Sequence, residues 1–189
     1  EWFSPQGGLW LTAGFYNLPL KSSFTIYLAI SIAEVVNQLF PETAGSLLIK
    51  WPNDLMLQDR KVGGILTTAY PDLKYIISGI GLNTNNREFP PELKNIADSL
   101  ARFTGKEIDN ELLLGRIFDK ISEGLPDYLD NELLKLKPLY ESEYSYLKDK
   151  KILLNTDFEE FAGRVKGINQ KGALILQLEN GSYQPLYSG

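Results

Sequence analysis

The chain has 189 residues, 43% apolar and 23% charged, the balance of a soluble globular protein. It contains no histidine and no cysteine, which removes Ser-His-Asp and Cys-His nucleophiles, thiolate and imidazole zinc sites, redox CxxC pairs and disulfide scaffolds. A formal net charge of −5 argues against a broad nucleic-acid-binding face, so any chemistry rests on Lys, Arg, Asp, Glu, Asn, Tyr and backbone amides.

In chain order, a turn at Pro5, Gly7 and Gly8 leads into a strand over Gly8–Ala13. Ser22 or Ser23 then caps a helix whose apolar face is Phe24, Tyr27, Leu28, Ile32, Val35, Val36, Leu39 and Phe40, closed by Pro41. A short apolar strand over Leu47–Trp51 is broken by Pro52, and two further strands are predicted over Val62–Tyr70 and Tyr75–Asn83. This order implies an antiparallel or mixed sheet with helices packed on it. Pro90 and Pro91 open a helix running towards Phe103. Asp109 caps the next one, with Leu112, Leu113, Ile117 and Ile121 on its buried side. A more polar helical segment covers about 131–147, interrupted near Pro138. From Lys150 onward, short runs over Lys151–Leu154, Glu160–Val165, Ala173–Leu178 and Tyr183–Tyr187 alternate with Asn/Gly turns, the pattern of a small barrel or meander. The domain boundary falls near 147–150. No apolar run approaches the roughly 20 residues that span a bilayer, and the lack of cysteine fits a cytosolic setting.

Three stretches concentrate functional groups. Lys50-Trp51-Pro52-Asn53-Asp54 ends an apolar strand with a lysine, an asparagine and an aspartate on a backbone that proline stiffens. Seven residues after Asp54, Lys61 precedes the pair Gly63-Gly64. Glycines inside a strand mark a bulge or a close approach of backbone to ligand. Read alone, the stretch serves equally as a hairpin with a capped turn and solvated cations. The second stretch, Ser78 to Asn86, contains Gly79, Gly81 and Asn83. It lacks the third glycine of a dinucleotide fingerprint, because Thr84 stands there. It reads either as a surface on which a ligand lies or as a strand ending in an Asn-rich loop. The third, Trp2-Phe3-Ser4-Pro5, reads either as core or as a stacking surface for a base.

Together these stretches resemble the catalytic domain of biotin protein ligases. The resemblance is carried by Trp2 followed by Ser4-Pro5 and the strand to Thr12, and by Lys50-Trp51-Pro52-Asn53-Asp54. Lys61 ahead of Gly63-Gly64-Ile65-Leu66, and Gly79-x-Gly81-x-Asn83, complete it. The tail, with Gly167-Ile168-Asn169 and Lys171-Gly172-Ala173-Leu174, is similar to the family's small C-terminal β-barrel.

The resemblance implies an α+β fold: a mixed, mostly antiparallel sheet packed with helices, related to class II aminoacyl-tRNA synthetases, over residues 1–147, then the small barrel over 148–189. It implies a cytoplasmic ligase that joins biotin to a lysine of the biotin carboxyl carrier protein of acetyl-CoA carboxylase, through biotinyl-5′-AMP made from biotin and MgATP. Lys61 then holds the biotin carboxylate and the α-phosphate, with Gly63 and Gly64 against biotin. Trp2, Lys50, Asn53, Gly81 and Asn83 contact ATP or the adenylate. Asp54 meets Mg²⁺ and helps orient or deprotonate the incoming amine. Family members carry a Gly/Arg-rich loop before the tryptophan, so these residues alone are expected to form an incomplete site. No DNA-binding winged helix and no membrane partner are expected, and an exposed strand edge offers a route to a homodimer. The rival readings are a biotin-binding regulator or non-catalytic homologue, and a lipoate or octanoate transferase.

Overall fold

The computed structural model describes residues 4–19, 21–155 and 160–187, with the side chains of Leu154 and Asn155 excepted. Strand β1 (Leu9–Tyr16) is followed by helix α1 (Phe24–Leu39) and then by β2 (Leu47–Lys50), β3 (Asp54–Leu57), β4 (Arg60–Tyr70) and β5 (Tyr75–Leu82). These strands form one antiparallel sheet in the order β1-β5-β4-β3-β2. Helices α2 (Leu100–Thr104), α3 (Asn110–Asn131) and α4 (Leu136–Leu139) come next, the last running on into a π-helical turn at Tyr140–Tyr144. A second sheet, β6 (Lys151–Asn155), β7 (Glu160–Ile168), β8 (Leu174–Gln177) and β9 (Tyr183–Leu186), closes the chain as an antiparallel meander.

Helix α1 is apolar on almost every side, and it is buried accordingly, packed between the first sheet and α3. It covers one face of the sheet, against which Leu55, Ile65, Ile76, Ile80 and Leu82 are buried. The opposite face carries Trp10, Thr12, Leu66, Gly79 and Gly81 (alternation places these residues there). Helix α3 follows the expected cap: Asp109 accepts from the amides of Glu111 and Leu112.

The structure departs from the sequence reading in four places. Residues 54–57 form a strand, β3, rather than a loop; Gln58 and Asp59, both with positive φ, make the tight turn into β4. Residues 90–98 form turns rather than a helix. The backbone of Lys61 captures this segment, donating to Ile96 O at 2.8 Å and accepting from Asp98 N at 3.0 Å, so helix begins only after Ser99 caps it. Leu112 is 48% exposed, one residue off the face that buries Leu113, Ile117 and Ile121. Ser23 precedes α1 without a side-chain cap; its hydroxyl is shared instead with Tyr128, at 2.8 Å. The C-terminal sheet agrees with the sequence reading of a barrel or meander: it is a four-stranded meander whose outer strands, among the described residues, are β6 and β9.

Candidate active site

The site is built from register. One rung runs across the whole sheet: Lys50 opposite Asp54, Asp54 opposite Gly64, Gly64 opposite Gly81, and Gly81 opposite Trp10. Residues facing each other across such a ladder share a face. The neighbouring rung on that face places Leu66 opposite Gly79 and Gly79 opposite Thr12. Three glycines without side chains therefore leave a trough between Trp10 and Thr12 on one side and Leu66 above. A cavity of about 360 Å³ lies there, lined by Ser4, Trp10, Thr12, Leu66 and the three glycines, with Leu11 and Ile80.

Lys61 lies three residues before Gly64, so a regular strand would send it to the opposite face. A β-bulge corrects this: Leu55 pairs with Gly63, but Met56 pairs with Lys61, so β4 spends one extra residue. Lys61 thereby returns to the face of Asp54, and its Nζ lies 2.5 Å from Asp54 Oδ1 at the end of the trough. The side chains of both are partly exposed, so the pair is open to an incoming anion.

Two asparagines lock this rim. Asn53 Nδ2 donates to Ile65 O at 2.9 Å, and Ile65 N donates back to Asn53 O at 3.0 Å. Asn83, buried at the end of β5, directs Nδ2 at Lys61 O at 3.3 Å and donates its backbone N–H to Val62 O at 2.8 Å. One N–H of each side-chain amide therefore holds the backbone that carries Lys61 and the glycines. Lys50 is exposed at the outer end of the rung.

The structure separates the two adjacent glycines. Gly64 joins Gly81 and Gly79 in the trough. Gly63 faces the core, where a Cβ would sit 2.6 Å from Leu82 Cδ2 and 3.3 Å from Leu55 Cδ1, so its lack of a side chain serves packing. Trp2 lies outside the described residues. Trp10 and Thr12 escaped the sequence reading as cavity residues. The signal was alternation, which puts an aromatic on the face opposite Leu9 and Leu11. Trp10 is fixed by an indole bond to Pro5 O at 3.0 Å, and its ring fills the space a side chain at Gly8 would need. Among the described residues no three acidic side chains gather to hold a metal ion, and no helix is long and apolar enough to cross a membrane.

In sequence, residues 1–83 match the Biotin/lipoate A/B protein ligase family, which sets the class of the glycine-floored sheet. Residues 150–189 match the Biotin protein ligase C terminal domain, and with both matches in order the chain belongs to the biotin protein ligase family. It is 32% identical over 188 residues to the bifunctional ligase/repressor BirA of Bacillus subtilis, covering 95% of this chain and 57% of that protein. The BirA of Escherichia coli is 28% identical over 193 residues, covering 100% and 60%. The chain thus spans somewhat more than half the length of these relatives. Among solved structures, the biotin protein ligase from Aquifex aeolicus in complex with biotin and ATP superposes with a TM-score of 0.88 at 27% identity, covering 100% of this chain and 78% of that one.

Proposed function

We propose that the protein joins biotin to one lysine of the biotin carboxyl carrier protein of acetyl-CoA carboxylase, in the cytoplasm, in two steps. In the first, a biotin carboxylate oxygen attacks the α-phosphorus of MgATP; the bond from that phosphorus to the bridging oxygen breaks and pyrophosphate leaves. In the second, the acceptor amine attacks the acyl carbon, AMP leaves and the amine loses a proton. Two domains are proposed, a catalytic domain over residues 1–147 and a small C-terminal β-barrel domain over 148–189.

The observation that carries this reading is the glycine-floored trough ending at the Lys61–Asp54 pair. A flat, mostly apolar ring lies closely on backbone only where side chains are missing, and about 360 Å³ is within the size of small-molecule sites. The first step brings two anions together, so its barrier falls when fixed positive charge faces both. Lys61 supplies that charge. Asp54 holds the ammonium in place and is the carboxylate near Mg²⁺ and the incoming amine, with the metal arriving on the nucleotide. Lys50, at the outer end of the rung, faces the phosphates, and Gly81 lies under the adenylate. Asn53 and Asn83 act by holding the Lys61 backbone, beside whatever contacts they make to ATP. Trp2 flanks the adenine, and Gly63 contributes its backbone to the biotin side.

The Gly/Arg-rich loop seen in family members before the tryptophan would add arginines to the same anions. A homodimer along a sheet edge fits the same reading, since β1 and β2 are the outer strands of the first sheet among the described residues. The match of residues 150–189 to a biotin protein ligase domain favours biotin over lipoate or octanoate. The test is pyrophosphate exchange into ATP by the natural full-length protein. Exchange that requires biotin, and that lipoate does not support, is expected. Biotin binding without exchange would replace the enzyme by a biotin-binding regulator.

A further inference from the structure

We infer that the β7–β8 turn of the C-terminal sheet is a positioning element for the site, acting through Trp51. The inference rests on the functional reading above and adds a residue to it. Trp51 is buried within Lys50-Trp51-Pro52-Asn53-Asp54, and its indole Nε1 donates to Gly172 O at 2.9 Å across a sequence separation of 121 residues. It is thus a direct bond between the corner that carries Lys50, Asn53 and Asp54 and the β7–β8 turn of the second sheet.

The acceptor is held rigidly. Asn169 Oδ1 accepts from Lys171 N and Ala173 N, each at 2.9 Å, and Gly172 N donates to Asn169 O at 3.0 Å. The turn is wedged against the start of α1, where Ser22 Oγ donates to Lys171 O at 2.8 Å, and against the chain after α3, where Leu133 N donates to Gln170 O at 3.4 Å. Gly172 has φ +79°, and a Cβ there would lie 2.9 Å from Ser23 Cα, so only glycine presents its carbonyl at this place. On the other side, the corner is tied to β4 by the two Asn53–Ile65 bonds. Beyond the Lys50–Asp54 pairing that closes it, the corner is therefore held by two outside anchors, one from each sheet. Lys50 adjoins one of them and Asp54 adjoins the other.

The test compares three variants of the natural full-length protein. Trp51→Phe removes the indole N–H and keeps an aromatic ring; Gly172→Ala displaces the acceptor without touching the first sheet. Val165→Ala opens space in the C-terminal sheet and leaves the bond intact. Displacing reacting groups by about 1 Å costs up to about 100-fold in rate, so Trp51→Phe and Gly172→Ala should each lower kcat of biotin-dependent pyrophosphate exchange by roughly 10- to 100-fold. The KM values for biotin and ATP should move far less. Amide hydrogen exchange at Asn53 and Ile65 should accelerate in both. Val165→Ala should lower the melting temperature and keep kcat, assayed well below melting. Unchanged kcat in Trp51→Phe overturns the inference, as does a kcat loss without faster exchange at Asn53 and Ile65, or an equal kcat loss in Val165→Ala. If the unaltered protein supports no pyrophosphate exchange, the functional reading falls, while amide exchange at Asn53 and Ile65 still decides whether the turn holds the corner.

Discussion

Gly63 and Gly79 lie on opposite faces of one sheet, and replacing each by alanine should produce opposite phenotypes. At Gly63 the new methyl would meet Leu82 Cδ2 at 2.6 Å, Gly81 O at 2.9 Å and Leu55 Cδ1 at 3.3 Å. Leu82 and Leu55 are both buried and the carbonyl belongs to the strand ladder, so none of the three can retreat cheaply. Overpacking of this kind costs about 1–3 kcal/mol, offset by roughly 0.4–1 kcal/mol from the stiffer unfolded chain. The middle of these ranges leaves about 1.3 kcal/mol, so at about 2–4 °C per kcal/mol for a chain of this size Gly63→Ala should melt roughly 3–5 °C lower. At Gly79 the nearest atom is Leu66 O at 3.9 Å, an ordinary contact. Gly79→Ala should therefore keep its stability within about 0.5 kcal/mol, while its methyl stands in the trough and weakens biotin binding by roughly 5- to 100-fold. Thermal melting and calorimetric titration with biotin measure both effects. A Gly63→Ala protein that melts with the unaltered one, or a Gly79→Ala protein that loses more stability than affinity, would refute the assignment of faces.

Further outcomes follow from the same contacts. Lys61→Ala should lower biotinyl-adenylate formation by about 10²–10³-fold, measured by pyrophosphate exchange, because it removes the charge aimed at both anions; Asp54→Asn should lower it less. Tyr128→Phe breaks the buried bond to Ser23 Oγ and should cost about 0.5–1.5 kcal/mol in chemical denaturation. Burial pushes the Tyr27 and Tyr140 hydroxyls up to about 12 and raises Tyr128 as well. The unfolded chain then loses these protons near pH 10 while the folded one keeps them, so stability is level below pH 10 and falls as pH rises towards 12. Melting curves from pH 8 to 12 should show this fall, and Tyr27→Phe should shallow it.

The sequence revealed the parts of the fold that repeat a period. Helix α1 was legible because apolar residues recur every three or four positions, and α3 because Asp109 precedes such a pattern. Strand β3 was not: its turn, Gln58-Asp59, adopts positive φ without the Asn-Gly or Asp-Gly signal that marks a tight hairpin. The segment after Pro90-Pro91 read as helix because local preference favours it. Its backbone is instead claimed by Lys61, 36 residues away from Ala97 in sequence, a contact no local pattern encodes. Among the site residues, resemblance picked out Lys61, Asp54 and Gly81. It could not show that Gly63 serves the core and Gly64 the trough, since that division depends on a bulge visible only once β3 and β4 are paired. Trp51 sat in the middle of the most conspicuous motif, yet its partner in the second sheet could be found only in three dimensions.

The central claim is that the trough and the Lys61–Asp54 pair activate biotin for transfer to a carrier lysine. The most direct measurement is mass spectrometry of a biotin carrier domain incubated with the natural full-length protein, biotin and MgATP, beside the Lys61→Ala variant. The account expects one biotinyl group on a single lysine with the unaltered protein and almost none with the variant. An unmodified carrier in the presence of folded, biotin-binding protein would contradict it, and so would equal modification by Lys61→Ala.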